Sequence, residues 1–282
     1  MPERICHLSS VRGYYDTSSD SGASYRDFYA GNCHFGFTPE GSNGSYDMPE
    51  AQRNMRLQVG EALGLPKGSA VLDAGCGFGP LARTLSEEFG HKVTGIDLMS
   101  ERLVHANALN NGNGVAGSSY SEGDYHALPF AGGSFNGVCT LETFVHANPL
   151  EEVLGEFNRV LKPGGRIALF EYSIPDLDTV TPVVRNVAER VISRTAMTSL
   201  PRLVHGSYPK FLKDSGFENI QVRDISKNVW PTWRHLWHRA AKNTAESVLD
   251  RSFCLDNIQG TALIYPARHQ LRYNIVTANK PN

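Results

Sequence analysis

The 282-residue sequence has few cysteines, and they form no recognisable motif. The five cysteines are an odd number and none is spaced as Cys-x-x-Cys, which argues against a disulfide framework and against a zinc site. We therefore expect free thiols, no bound metal and a reducing, cytoplasmic location.

Long apolar runs and an excess of charge are also missing. No stretch approaches the ~18 apolar residues that a membrane-spanning helix needs, and the first 15 residues contain charges instead of the apolar core of a signal peptide. The formal net charge is −2 and no cluster of Lys or Arg stands out, which argues against a nucleic-acid-binding protein. The sequence predicts a cytoplasmic protein without an integral membrane segment and without a nucleic-acid partner.

The most informative stretch is an apolar strand that runs into a glycine loop and then a helix, residues 70–80. Gly75, Gly77 and Gly79 permit backbone angles or ligand contacts that a Cβ atom would block. Pro80 suits the first helical position, where its missing N–H is not needed. A strand, a tight turn and a helix N-terminus together are typical of a nucleotide site, because free N–H groups and the helix dipole meet there.

Two details of this loop favour S-adenosylmethionine over a dinucleotide. The dinucleotide motif Gly-x-Gly-x-x-Gly requires glycine at the position that Pro80 occupies. Asp73 stands two residues before the first glycine, where it would repel a pyrophosphate but can hold an ammonium or sulfonium group. The loop therefore predicts a cationic cofactor.

Acidic residues at the ends of the next two strands extend this predicted site. Asp97 lies 24 residues after Asp73, close to the ~20 expected for a carboxylate that binds ribose. Leu98 offers apolar atoms to an adenine, and Asp124 can accept from its amino group. The predicted cofactor-binding residues are Asp73, Gly75, Cys76, Gly77, Asp97, Leu98, Asp124, Tyr125 and Leu141.

Strand and helix patterns alternate along the rest of the chain, which predicts an α/β fold with a doubly wound, mostly parallel, seven-stranded sheet. Strands are expected at 70–74, 91–96, 118–121, 135–141, 166–171, 217–225 and 271–278. With 40% hydrophobic residues, the chain fits one large domain. We assign residues 1–48 to an N-terminal lid and 49–282 to this domain, with helical cap insertions at about 176–206 and 226–269.

The lid and the second insertion are rich in aromatic residues. Residues 11–47 combine Ser, Gly and Asp with eight aromatic side chains, which predicts a segment lying over the active site; an arm packed on the core or on a partner subunit is the alternative. Trp230, Trp233 and Trp237 can share one face of a helix that begins near Pro231. They either line an acceptor pocket or form only the core of that helix.

Four stretches carry a family resemblance: residues 71–77 (Val-Leu-Asp-Ala-Gly-Cys-Gly), 93–97 (Val-Thr-Gly-Ile-Asp), 141–147 (Leu-Glu-Thr-Phe-Val-His-Ala) and 159–165 (Arg-Val-Leu-Lys-Pro-Gly-Gly). On these stretches, residues 69–175 resemble a class I S-adenosylmethionine-dependent methyltransferase with a Rossmann-like fold. The third stretch and 170–172 (Phe-Glu-Tyr) are similar to the sterol C-methyltransferases. Residues 33–37 (Cys-His-Phe-Gly-Phe) look more like the Met-His-x-Gly-Tyr of the tocopherol methyltransferases.

The resemblance implies methyl transfer from S-adenosylmethionine to a small lipophilic acceptor of isoprenoid, sterol-like or secondary-metabolite type, with carbon slightly favoured over nitrogen or oxygen. Glu142 and His146 are the first candidates for a catalytic base and His34 is the third, although each histidine can instead hold backbone groups in place. If the turn between Glu142 and His146 is helical, the acid raises the basicity of the histidine. Predicted substrate-binding residues are Tyr15, Phe35, Tyr172, Trp230, Trp233 and Trp237.

Two other functions stay open at this point. An NAD-dependent oxidoreductase shares the fold, and a catalytically silent relative keeps the cofactor site while acting only as an interaction protein. The sequence also leaves open whether the chain forms a homodimer.

Overall fold

The computed structural model describes residues 10–16, 32–42, 45–113, 117–247 and 265–282. One seven-stranded sheet organises them, in the order β3-β2-β1-β4-β5-β7-β6. Neighbouring strands from β3 to β5 are parallel, and β7 runs antiparallel between β5 and β6. The predicted mostly parallel sheet is confirmed. The strands are β1 (Ala70–Ala74), β2 (Lys92–Asp97), β3 (Ser118–Glu122), β4 (Phe135–Leu141), β5 (Leu161–Ser173), β6 (Glu218–Asp224) and β7 (Arg272–Asn279).

Helices cover both faces of the sheet. They are α1 (residues 10–15), α2 (Met48–Leu63), α3 (Pro80–Phe89), α4 (Ser100–Asn113), α5 (Leu150–Val160), α6 (Pro182–Arg194), α7 (Tyr208–Asp214) and α8 (Ser226–Ser247), with 3-10 turns at Phe144–His146 and Leu200–Arg202. Local sequence sets their ends: Asp47 accepts from the Glu50 N–H at the start of α2, and Gly64 ends it with a left-handed φ of 58°.

The core consists of two apolar layers because successive strand residues point to opposite faces. One layer contains Val71 of β1 and packs against α2, α3 and α8; the other contains Leu72 and packs against α5 and α7. Both layers meet the strands near the ends of β1, β2 and β4. The carboxyl ends of these strands are therefore held on a rigid base.

Two element boundaries differ from the predicted ones. β5 begins at Leu161 instead of residue 166, because the residues after α5 already lie alongside β4, with Leu161 opposite Phe135. α8 begins at Ser226 instead of near Pro231, because the Asp224 carboxylate accepts from the Ser226 N–H at 2.9 Å and starts the helix early. Pro231 consequently lies inside the helix.

Residues 32–42 and 45–46 of the predicted lid run between α2 and α8. The Phe37 N–H donates to the Ala51 carbonyl at 2.8 Å, and the Thr38 N–H donates to the Asn228 carbonyl at 2.9 Å. Gly36 is required here, because a Cβ atom would lie 2.5 Å from the Cβ of Ala51. The aromatic residues Tyr25, Phe28 and Tyr29 lie outside the described residues, and so does 248–264 of the second insertion. The lid and cap assignments stay predictions.

Two kinds of feature are absent from the part of the chain that the structure describes. None of its helices combines the length and apolar character needed to cross a membrane. Its His, Cys, Asp and Glu side chains also form no group of three or more placed to hold a metal ion.

Candidate active site

A cavity of about 830 Å³, including the part open to solvent, lies at the carboxyl ends of β1, β2 and β4. Its wall comes from the glycine loop after β1, the turn after β2, the end of β4, the first helix α1 and residues 33–34. Ligands bind at this edge in open α/β sheets. Apart from Asp124, the predicted cofactor and catalytic residues are therefore brought to one place by strands far apart in sequence.

The glycine loop is fixed by backbone hydrogen bonds that leave one position open. The Gly75 N–H donates to the Ile96 carbonyl, and the Gly77 N–H donates to Oδ2 of Asp97, both at 2.8 Å. Oδ1 of Asp97 accepts from the Met99 N–H at 2.9 Å. Gly77 has a φ of 53°, and a Cβ atom there would meet nothing within 4 Å. The loop thus presents bare backbone to empty space on the cavity wall.

Asp73 is the most unusual group on the wall. It is 1% exposed, and its Oδ2 has no hydrogen-bond partner in the described part of the chain. Burial raises the pKa of Asp73 to about 7, with a further contribution from the nearby Asp97 and an opposing hydrogen bond from Ala82. Because an unpaired buried carboxylate is costly, this site suits a ligand that brings a positive charge.

The charged side chains on the described wall support the same conclusion. They are the three acids Asp73, Asp97 and Glu142 and the single cation Arg102. A pyrophosphate would meet net repulsion in this cavity, whereas a cationic cofactor is attracted. Cys76, Leu98, Tyr125 and Leu141 of the predicted cofactor set also line the wall.

Asp124 is not among the residues that line the described cavity wall. Its Oδ1 accepts from the His126 N–H at 2.9 Å and is 2.7 Å from the His126 Nδ1. The Nε2 of His126 in turn accepts from the Asn148 N–H at 3.1 Å. Asp124 thus joins two loops through one carboxylate oxygen, and its contact with an adenine stays a prediction.

Glu142 lies on the wall with both carboxylate oxygens engaged. Oε1 accepts from the Phe35 N–H at 2.7 Å and from the Tyr273 hydroxyl at 2.8 Å, and Oε2 accepts from the Tyr172 hydroxyl. Burial raises the pKa of Glu142 to about 7, although the hydrogen bonds from Tyr172, Phe35 and Tyr273 act in the opposite direction. The residue also has a left-handed φ of 59°, which non-glycine residues rarely adopt.

His146 makes its hydrogen bonds in another direction. Its Nδ1 is 2.8 Å from the Ala196 carbonyl, which only accepts, so Nδ1 carries the proton. Its Nε2 then accepts from the Tyr15 hydroxyl at 2.8 Å. The sequence predicts coupling of Glu142 with His146 only if the turn between them is α-helical. That condition is not met, because the left-handed turn at Glu142 and the 3-10 turn that follows place the two side chains in separate networks.

His34 lies on the wall but is a weak base. Its Nδ1 donates to the Phe35 carbonyl at 2.7 Å, and Arg56 Nη1 lies 3.4 Å from its Nε2. Burial and the Arg56 charge lower the pKa of His34 to about 3. The side chain is therefore neutral near pH 7 and holds the backbone at Phe35.

Of the predicted substrate-binding residues, Tyr15 lies on the described cavity wall, whereas the others lie behind it or away from it. Trp233 is 1% exposed, and Phe35 packs between Trp233 and Tyr172 with ring centroids 5.9 Å from each. Trp230 packs on His269 at 5.1 Å, and Trp237 packs on Tyr265 at 5.8 Å. Trp230 and Trp237 lie away from the cavity wall because the outer faces of α8 pack on residues 265–269. Trp233 lies on the inner face of α8, which packs on Phe35.

Several wall or wall-supporting residues escape sequence reasoning. Arg102, Phe78 and Thr143 line the cavity, and Tyr273 supports Glu142 from behind. Tyr273 is directly opposite Tyr172 in the antiparallel β5–β7 ladder, a pairing that no local pattern reveals. One pattern could have pointed to Arg102: it lies in the first turn of α4, the helix that follows β2, and β2 ends in Asp97.

Comparisons with known proteins identify the family. A family profile described as a methyltransferase domain matches residues 72–169. The S-adenosyl-L-methionine-dependent Diels-Alderase iccD of Talaromyces variabilis is 31% identical over 233 residues, which cover 80% of this chain and 78% of that protein. The chain belongs to the class I S-adenosylmethionine-dependent methyltransferases.

Two further similar proteins agree with this family assignment. The sterol 24-C-methyltransferase ERG6B of Gibberella zeae is 28% identical over 222 residues, covering 78% of this chain and 56% of that protein, which confirms the resemblance seen in the sequence. The crystal structure of the [4+2]-cyclase SpnF superimposes with a TM-score of 0.75 at 19% identity, over 98% of this chain and 97% of that chain. That likeness shows the fold.

The cofactor of this methyltransferase is S-adenosylmethionine, and the wall residues fit it. The open position at Gly77 leaves room for a ligand against bare backbone, and the partnerless oxygen of Asp73 suits a positively charged group. Asp97 has further lone pairs with which to accept from ribose hydroxyls. The alternative of an NAD-dependent oxidoreductase agrees neither with this acidic wall nor with the family.

Proposed function

We propose that this methyltransferase methylates a hydroxyl oxygen of a small lipophilic acceptor and that His146 receives the proton. The observation that carries the proposal is the hydrogen bond from Tyr15 to Nε2 of His146 on the cavity wall. When bound, S-adenosylmethionine supplies an electrophilic methyl group. A neutral imidazole within reach of an acceptor O–H is the kind of group that removes its proton as the oxygen is alkylated.

The surroundings of His146 support this role. The Ala196 carbonyl accepts from Nδ1 and so directs the Nε2 lone pair towards Tyr15 and the cavity. When Nε2 takes the acceptor's proton, the same carbonyl stabilises the imidazolium that forms. The Tyr15 hydroxyl donates its one proton to His146, while its oxygen can accept from the hydroxyl of the acceptor; this orients the acceptor and lets its proton pass through Tyr15 to Nε2.

The acceptor class follows from the wall. Much of it is apolar, from Val11, Phe78, Leu81, Ile96, Leu98, Met99 and Leu141. Relatives are named as sterol methyltransferases, as O-methyltransferases and as a Diels-Alderase. A lipophilic secondary metabolite fits both observations, with its hydroxyl group directed at His146.

Oxygen is favoured over carbon as the methylated atom because of how the aromatic rings around the cavity are placed. Methylation of an alkene carbon leaves a carbocation that ring faces must stabilise. Among the described wall residues, the rings of Tyr15 and Phe78 already hold the Arg102 guanidinium, 4.6 and 5.3 Å from their centroids. The ring of Tyr125 packs on His126 and Phe157, with centroids 5.1 and 6.1 Å away. The described wall does not include Phe35, Tyr172 or the three tryptophans. This argues against the carbon methylation that the sequence favours.

Glu142 is assigned a supporting role in this proposal. Three donors from the N-terminal segment, β5 and β7 converge on its carboxylate. These three donors take up most of the carboxylate's lone-pair sites, so we assign Glu142 to holding the cavity wall together. His34, with its low pKa of about 3, is likewise assigned to holding the wall.

The test uses S-adenosylmethionine labelled with ¹³C in the methyl group and a panel of lipophilic phenols, enols and alkenes. Mass spectrometry identifies labelled products, and the ¹³C chemical shift of the new methyl separates oxygen from carbon. We expect O-methyl products that His146→Ala forms at least about 10²-fold more slowly. C-methyl products alone, or wild-type speed in His146→Ala, would contradict the proposal.

A second candidate is cyclisation of an acceptor without methyl transfer, because iccD, at 31% identity, is named as a Diels-Alderase. The same assay separates the two functions. A cyclase converts its substrate without a change in mass, without incorporating the label and without producing S-adenosylhomocysteine.

A further inference from the structure

We infer that Arg102 is a positioning residue that seats Tyr15 against His146 and links this pair to the glycine loop of the cofactor site. The inference rests on the proposed roles of Tyr15 and His146. It concerns a side chain that no motif of the sequence singles out.

Arg102 is held between two aromatic rings from different parts of the site. Its guanidinium carbon lies 4.6 Å from the centroid of Tyr15 in α1 and 5.3 Å from that of Phe78 in the glycine loop. Nη2 donates to the Tyr15 carbonyl at 3.5 Å, and Nη1 lies 3.7 Å from the Cys33 sulfur. The residue is 4% exposed. One side chain thus contacts the N-terminal segment at two points and the cofactor loop at a third.

The position of Arg102 in its helix indicates that these contacts, and not helix stability, favour an arginine here. It lies in the first turn of α4, where the helix dipole favours acids over cations. A planar guanidinium can stack on a ring at each face while donating from its edge, which a lysine ammonium cannot do. The contacts with Tyr15 and Phe78 therefore match the geometry of arginine in particular.

α1 packs into the core through Val11 and Tyr14, which are 5% and 8% exposed. On its surface it is joined to the sheet by the ion pair of Arg12 with Glu122, at 2.9 Å, which is about half exposed and so contributes little. The contact with Arg102 differs from these because it is buried and acts on the Tyr15 ring itself.

The stack also connects the cofactor-binding loop with the Tyr15–His146 pair. Phe78 lies between Gly77 and Gly79, the part of the loop that presents bare backbone to the cofactor. Any ordering of that loop on cofactor binding reaches Tyr15 through one intervening side chain. Arg102 thereby makes the Tyr15–His146 hydrogen bond depend on a correctly seated cofactor loop.

A double-mutant cycle tests this inference. The turnover number, the acceptor KM and the cofactor Kd are measured for Arg102→Met, Tyr15→Phe and the double variant. Tyr15→Phe keeps the ring but removes the hydroxyl, so any remaining effect of Arg102 acts by another route. We expect Arg102→Met to lower turnover about 10- to 100-fold, but by less than about twofold when Tyr15→Phe is already present.

Two further variants complete the design. Arg102→Lys keeps the charge, and we expect it to recover less than half of the lost turnover. Arg53→Met is the matched control, because Arg53 is half exposed, pairs with Glu88 and does not line the cavity; it should behave as wild type. If Arg102→Met does not fold, the cycle with Arg102→Lys replaces it.

The outcomes separate the inference from the proposed function. Multiplicative effects of Arg102→Met and Tyr15→Phe, or wild-type turnover in Arg102→Lys, would overturn the role of Arg102 while leaving that of His146 intact. Wild-type turnover in Tyr15→Phe would also overturn the role of Arg102, because the hydroxyl that Arg102 is inferred to position would then have no task; His146→Ala tests the role of His146 by itself.

Discussion

The hydroxyl group of Tyr15 donates to Nε2 of His146 over 2.8 Å, although the two residues are 131 positions apart in the chain. The pair joins α1 to the 3-10 turn that follows β4. Both residues line the cavity, where they add a polar pair to the wall. The reaction that we propose depends on that pair.

Replacing His146 with alanine should lower turnover by about 10²- to 10⁴-fold, because the acceptor's proton then has no positioned base. Cofactor affinity, measured by calorimetry, should change little, since Asp73, Asp97 and the glycine loop are untouched. His238→Ala, which changes an exposed histidine of α8, is the control. Equal turnover in the two variants would show that His146 is structural.

Glu142→Gln should affect stability more than chemistry. Glutamine has one carbonyl oxygen for the Phe35 N–H and the Tyr273 hydroxyl, but its NH₂ group replaces the acceptor of the Tyr172 hydroxyl. We expect a loss of about 0.5–1.5 kcal/mol in the free energy of unfolding, with turnover reduced far less than in His146→Ala. A loss of turnover as large as that of His146→Ala would instead indicate that Glu142 is the base.

Two glycine substitutions should separate cofactor binding from folding. In Gly77→Ala the new methyl group points into open space on the cavity wall, so we expect cofactor affinity to fall at a stability cost of about 1 kcal/mol. In Gly75→Ala the methyl group would lie 2.5 Å from Thr143 Cγ2, so the thermal midpoint should fall more steeply. Calorimetric titration and thermal unfolding measure the two effects; the reverse pattern would contradict this placement of the loop.

The protein without cofactor should become less stable as the pH rises from about 4 to 7. The pKa values of Asp73 and Glu142 are raised to about 7 in the folded chain, whereas an unfolded carboxyl releases its proton near pH 4. In this window the folded state binds more protons, so its advantage is complete below pH 4 and disappears as the pH passes about 7. Urea unfolding at several pH values should show the decline, and Asp73→Asn should reduce its slope.

Saturating S-adenosylmethionine should weaken the same decline. A cationic ligand favours the ionised form of Asp73, so its affinity should rise with pH up to about 7 and then level off. An affinity that is independent of pH between 5 and 8 would place the positive charge away from Asp73.

Trp233→Ala should remove about 3–5 kcal/mol of stability, because Trp233 is fully packed against Phe35 and leaves a large hole. Cofactor affinity of the folded fraction should be unchanged. Trp237→Ala, at a partly exposed site, should cost less. Acceptor KM is the decisive measurement: a large increase in Trp237→Ala without a loss of stability would return that ring to the acceptor site.

The parts of the site that the sequence predicts well are those encoded within a few residues. The strand, glycine loop and helix around Asp73 are local, and Asp97 ends the next strand at the expected distance. The contacts that join distant segments are different. Arg102 meets Tyr15 across 87 residues, and Glu142 meets Tyr273 across 131. These pairings depend on how α1 and β7 pack, which periodicity does not specify.

The tryptophans illustrate the same limit. Their spacing correctly indicates a helix with an aromatic face, but it does not indicate what covers that face. Phe35 fills the space beside Trp233, so the ring contributes to the core. Similarly, the four-residue spacing of Glu142 and His146 suggests a pair only if the turn is α-helical, and the backbone at Glu142 is left-handed instead.

The acidic wall of the cavity also affects how strongly the enzyme binds the methyl donor and the by-product of the reaction. Asp73, Asp97 and Glu142 face a single arginine among the described wall residues. The methyl donor enters with a sulfonium charge, and the spent molecule leaves as a neutral thioether. The electrostatic attraction that favours binding of the donor is therefore weaker for the by-product.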